Sequence, residues 1–120
     1  MVIHFEIPVG DMSRAKHFYG ELFGWTFADR PPGPDEGHAY SLIETGGRPN
    51  GALMGRVTPG QPVLLYFNVE DLEGYVERAQ GLGALVRIPR RSVPGLGWWA
   101  AMEDPEGNVF ALWQDDPGAA

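Results

Sequence analysis

Two side chains near the N-terminus, His4 and Glu6, are the first candidates for chemistry in this chain. They stand two positions apart in VIHFEIPV, where Ile3, Phe5, Ile7 and Val9 alternate with His4, Glu6 and Pro8. That is the period-two pattern of a half-buried strand, so imidazole and carboxylate share one face. Both groups are costly to bury without partners. The face therefore either meets water or lines a cavity with something in it. Three uses follow from the residue types. The pair could orient the polar end of a ligand. Glu6 could act as a general base, which requires a raised pKa and a substrate proton within reach. Or both could hold a divalent ion, which wants at least three N or O donors around an open position. The pair supplies two, and the remaining histidines, His17 on a predicted helix and His38 beside a loop, have no evident route to them.

Aromatic residues near the C-terminus are the second candidate group. Trp98, Trp99 and Trp113 fall on the last two predicted strands, joined by Asp104-Pro105-Glu106-Gly107. Symmetric closure of that turn sets Trp98 opposite Trp113 and Ala100 opposite Ala111, and facing residues on paired strands share a face. Tyr66 joins them by parity with Leu64 and Asn68. Core filling accounts for any one of these aromatics. Grouped with His4 and Glu6, they describe an apolar pocket with a few polar anchors. The expected ligand-binding set is His4, Glu6, Tyr66, Trp98 and Trp113. Phe18, Tyr19 and Tyr75 are expected in the core, while Arg48 and Arg56 read as surface arginines with a lesser chance of meeting an anion.

The elements that must position these groups come in two copies. In the first, a strand over Val2 to Val9 is followed by the helix cap Asp11 and a helical stripe of Ala15, Phe18, Tyr19 and Leu22 ending at Gly24. Strands are expected at Trp25 to Phe27, His38 to Thr45 and Ala52 to Val57. The loop RPPGPDEG (30–37) and the turn at 46–51 separate them. The pattern then returns. Val9-x-Asp11-Met12 matches Val69-x-Asp71-Leu72, sixty positions on, and Gly24 matches Gly83. The second copy has a strand over Val63 to Val69, then the helical stripe Leu72, Tyr75, Val76, Ala79 and Leu82. Strands follow at Ala84 to Ile88, Gly97 to Glu103 and Asn108 to Gln114. One copy alone would leave one face of a four-stranded sheet open. The expectation is an α+β fold of two βαβββ modules, about 1–58 and 62–116, pairing around a central cavity within a single domain 1–120.

Composition excludes several classes. The net charge of −7 argues against nucleic acid, because phosphate neutralisation needs clustered Lys and Arg. There is no apolar run of roughly 18 residues to span a membrane. The N-terminus shows no basic region followed by an apolar stretch. The absence of cysteine removes disulfides, thiolate nucleophiles and thiolate metal sites, and fits the cytoplasm.

Three segments, HFEIPVGDMSRAKHFYGELFGW, YFNVEDLEGYVERAQGLGA and DPEGNVFALWQ, resemble in order and spacing the vicinal oxygen chelate superfamily of glyoxalases, extradiol dioxygenases and antibiotic-resistance proteins. The resemblance implies paired βαβββ modules, often dimeric, with a pocket that usually holds a divalent metal bound from the first and last strands of each module. Carried over position by position, His4 matches the first-strand ligand. The second module's counterpart falls on Leu64 and the closing-strand glutamate on Ala111. Ala52, Leu53 or Met54 stand where the first module's last strand would contribute. Three of the four ligand positions are empty. The expected function is therefore a small-molecule-binding, homodimeric member with a degenerate metal site and no resident cofactor. Two alternatives remain open, a divalent-metal-dependent lyase, isomerase or dioxygenase, and a drug-sequestering resistance protein.

Overall fold

The structure is a computed structural model that describes residues 1–31 and 39–120. His38 and most of the loop read from the sequence lie outside those residues. The described chain forms eight strands and two helices, and it separates into two compact units, residues 3–64 and residues 65–120 with 1–2.

In the first of these, β1 (Val2–Val9) leads into α1 (Met12–Phe23), β2 (Thr26–Arg30), β3 (Tyr40–Glu44) and β4 (Asn50–Gly55). Helix α1 starts where the Asp11 carboxylate accepts from the Arg14 N–H at 3.0 Å and stops at Gly24, whose φ of 72° is left-handed. β2 pairs antiparallel with β3, β3 antiparallel with β4, and β4 parallel with β1, so the strand order is β2-β3-β4-β1. β4 begins two residues earlier than expected. Asn50 and Gly51, read as turn, pair with His4 and Phe5. Gly51 is required there, because a Cβ would sit 2.8 Å from the Phe5 ring.

The other unit repeats this plan with β5 (Leu64–Asn68), α2 (Leu72–Gly81), β6 (Leu85–Val93), β7 (Gly97–Glu103) and β8 (Val109–Asp115). Its order is β5-β8-β7-β6, with β5 and β8 parallel and the others antiparallel. Strand for strand this is the topology of the first unit, as the sequence repeat requires. The Asp71 carboxylate caps α2 by accepting from Gly74 N–H at 3.1 Å. The core here is Val69, Leu72, Ala100, Met102 and Leu112, flanked by Phe67, Val76, Val86 and Trp98.

Three expectations need correction. β6 does not end at Ile88. It runs through Pro89 to Val93, and its register shifts on both sides of Ile88 absorb a residue that cannot donate to the ladder. Phe18 and Tyr75 are not core residues, being 56% and 51% exposed. Their helices tilt other side chains inward, Tyr19 against Trp25 at 5.3 Å in α1 and Leu72 in α2. Finally, the β7–β8 hairpin closes one residue away from the symmetric reading. Its last pair is Glu103 with Val109, and the loop is the five residues 104–108. Asp104 N–H donates to the Asn108 carbonyl at 2.8 Å, while the Asp104 carboxylate accepts from the N–H groups of Glu106 and Asn108. Trp113 therefore faces Trp99, and Trp98 faces Gln114.

Candidate functional site

Alternation along β1 puts His4 and Glu6 on one face, as the sequence requires, and sheet register decides what joins them. His4 pairs with Asn50, Glu6 with Ala52 and Pro8 with Met54; on the next strand Met54 pairs with Tyr40 and Ala52 with Leu42. Tyr40, Ala52 and Met54 form a buried apolar cluster on this face. The opposite face of β1 carries Phe5, which meets Trp25 at 5.8 Å and through it Tyr19 of α1. The His4–Glu6 face is thus the one turned away from the helix.

Tyr40 organises the polar groups. Its hydroxyl donates to Glu6 Oε2 at 2.7 Å and lies 3.1 Å from His4 Nε2, and Nε2 and Oε2 are themselves 3.7 Å apart. Tyr40 is only 8% exposed, and the side chains of His4 and Glu6 are 27% and 13% exposed. The Arg30 guanidinium lies over the Tyr40 ring, 4.2 Å from its centre, in cation–π geometry. Neither Tyr40 nor Arg30 was singled out from sequence. The signal available was a tyrosine with even spacing to Leu42 and Glu44 in a predicted strand, which says which face it takes but not what it meets. On the helix side of the same sheet, Asp29 is tied to Lys16 at 2.6 Å. The Lys16 ammonium holds that carboxyl below its ordinary value.

In the other unit, β5–β8 register pairs Tyr66 with Ala111 and Asn68 with Trp113, and β7 brings Ala101 and Trp99 beside them. Tyr66 and Trp113 therefore share a face, with Trp99 as the third aromatic and its ring 6.2 Å from that of Tyr66. Trp98 points the other way. It packs against the core beneath α2, its indole N–H donates to Asp116 at 2.8 Å, and Arg90 stacks on it at 4.3 Å. The one-residue slip of the hairpin exchanges Trp98 for Trp99 on the Tyr66 face.

The divalent metal that the resemblance implies does not fit these residues. Ala111 and Ala52 are buried methyls, Leu64 has no donor, and His4 and Glu6 are already bonded to Tyr40. Among the described residues no three His, Asp or Glu side chains are grouped to hold an ion.

A sequence profile of the Glyoxalase/Bleomycin resistance protein/Dioxygenase superfamily matches residues 2–112. CFP32 of Mycobacterium tuberculosis, which carries the name of a glyoxylase, is 30% identical over 115 residues, covering 91% of this chain and 43% of that protein. The anthracycline biosynthesis protein DnrV of Streptomyces peucetius is 29% identical over 126 residues, covering 92% of this chain and 45% of its own. The chain thus spans a little under half the length of these relatives. Among solved structures, methylmalonyl-CoA epimerase from Mycobacterium tuberculosis superposes with a TM-score of 0.72 at 20% identity, covering 97% of this chain and 88% of the other. At that identity the likeness is one of fold.

Proposed function

Because the chain belongs to the glyoxalase/bleomycin resistance protein/dioxygenase superfamily, we propose that it binds a small organic molecule without a metal, anchoring the molecule's polar end at His4, Glu6 and Tyr40. The observation that carries this reading is the Tyr40 hydroxyl bonded to Glu6 and His4 beside buried Ala52 and Met54. A few placed polar groups on apolar walls are what small-molecule sites are made of. In the other unit, Tyr66 and Trp113, with Trp99 in the place expected for Trp98, form an aromatic face of its own that suits a flat or apolar molecule. A relative named for anthracycline biosynthesis supports a ligand of that polycyclic kind. The same proposal includes a homodimer, for which α1 offers exposed Phe18, Leu22 and Phe23, and a cytoplasmic site of action, in keeping with a chain that has no cysteine. No helix among the described residues is long and apolar enough to cross a membrane.

A small-molecule screen read by tryptophan fluorescence tests the binding reading. Hits should weaken on Trp113→Ala by about 1–3 kcal/mol of lost burial, and Glu6→Gln should reorder the hits more than it lowers stability. Hits that leave fluorescence unchanged and ignore both substitutions would overturn the assignment.

A further inference from the structure

The distances around Tyr40 have a second meaning, which concerns the same side chains as the binding reading but does not depend on a ligand. A phenol has one proton and keeps it at neutral pH, its unperturbed pKa being about 10. At 2.7 Å from Glu6 Oε2 that proton is committed to the carboxylate. Toward His4 the same oxygen can only accept, so the 3.1 Å contact requires His4 Nε2 to carry a hydrogen. The hydrogen bonds then run in one direction, from imidazole N–H to phenol O–H to carboxylate.

The spacing of the outer pair is the spacing of two ligands on an ion. Donors about 2.1 Å from a tetrahedral cation lie about 3.4 Å apart, and His4 Nε2 and Glu6 Oε2 are 3.7 Å apart. The phenol oxygen lies 2.7 Å from Glu6 Oε2 and 3.1 Å from His4 Nε2, so an ion bridging the two on that side would overlap it. One of the two lone pairs a cation needs is protonated and the other accepts a hydrogen bond. We infer that the Tyr40 hydroxyl stands in for a cation between His4 and Glu6, holding the two at ligand spacing while closing them to divalent metal.

This accounts for a histidine and a glutamate side by side on a strand face with too few further donors, among the described residues, for an ion. The phenol gives both a partner, which removes the cost of burying them. It also fixes the His4 tautomer with Nε2 as the protonated nitrogen.

Two measurements on the whole chain test the inference. In wild-type protein, nitrogen chemical shifts of the His4 ring should report the Nε2–H tautomer at neutral pH. Titration with Ni²⁺ alone should show at least tenfold tighter binding to Tyr40→Ala than to wild type. The gain should disappear when His4→Ala is added. Should Tyr40→Ala fail to fold by circular dichroism, the wild-type tautomer decides the matter. An Nδ1–H tautomer, a folded Tyr40→Ala with no gain, or a wild-type Ni²⁺ site that Tyr40→Phe abolishes would each overturn it. The last outcome would make the phenolate a ligand instead of a barrier. Loss of the organic-ligand reading would leave all three results untouched.

Discussion

Single side chains with several partners decide the geometry at two places, Tyr40 in the candidate site and Asp104 in the β7–β8 loop. The Asp104 carboxylate accepts from the Asn108 and Glu106 N–H groups at 2.9 and 2.8 Å, and it is these bonds, the one to Asn108 first, that hold its carboxyl below the ordinary value of 3.8. A carboxyl with a depressed folded-state pKa stabilises the fold fully above its unfolded value. That contribution is lost as pH falls through the lower, folded-state value. Asp104→Asn should therefore destabilise near neutral pH, and the gap to wild type should narrow as the pH is lowered from about 6 to about 3. Urea midpoints at the two pH values measure it; a gap that stays constant would mean that the bonds do not depend on charge. Of the site residues, His4 and Glu6 were legible because strand alternation alone puts them side by side. Tyr40 was not. Its meeting with Glu6 is fixed by register across two strand pairs, and the sequence signal for β4 missed the first two residues of that register, Asn50 and Gly51.

At the scale of elements, the helices and most strands were readable because their signals are local: Asp11 and Asp71 as caps, Gly24 as a stop, alternation in β1. What failed was register, which depends on loop geometry. A four-residue turn and a five-residue loop fit the same Asp-Pro-Glu-Gly-Asn string. The side-chain bonds of Asp104 choose the longer, and with it Trp99 in place of Trp98. Pro89 misled for a related reason. Proline argues against an inner strand, but β6 lies at the edge of its sheet, where a missing donor is tolerated. The aromatic face has its own built-in requirement. Gly97 lies beneath Trp113, and a Cβ there would come within 2.7 Å of the indole as well as against the Gln114 carbonyl. Gly97→Ala should displace the indole, alter the tryptophan emission and cost about 1–3 kcal/mol. Urea unfolding followed by fluorescence checks both effects. A variant with wild-type midpoint and spectrum would show that Trp113 does not rest on this strand.

The scale of the whole molecule is where the repeat matters. Both units have the same strand order, and in both the first strand pairs in parallel with the last. The proposed dimer makes a plain prediction. Sedimentation at micromolar concentration should give twice the mass of the chain, and Phe18→Glu with Leu22→Glu on the exposed side of α1 should shift it toward monomer. A wild-type monomer would remove the dimer from the proposal. The parallel closure also has a consequence in time. Hairpins β2–β3–β4 and β6–β7–β8 join neighbours along the chain, whereas β1 and β5 must wait for strands made at the far end of their modules. Ordering that long loop costs entropy before any pairing rewards it. During synthesis β1 leaves the ribosome before the rest of its module, yet it is docked after β4 exists. His4 and Glu6 thus spend the assembly of their module as solvated side chains on an unpaired strand, and reach Tyr40 only when β1 docks beside β4.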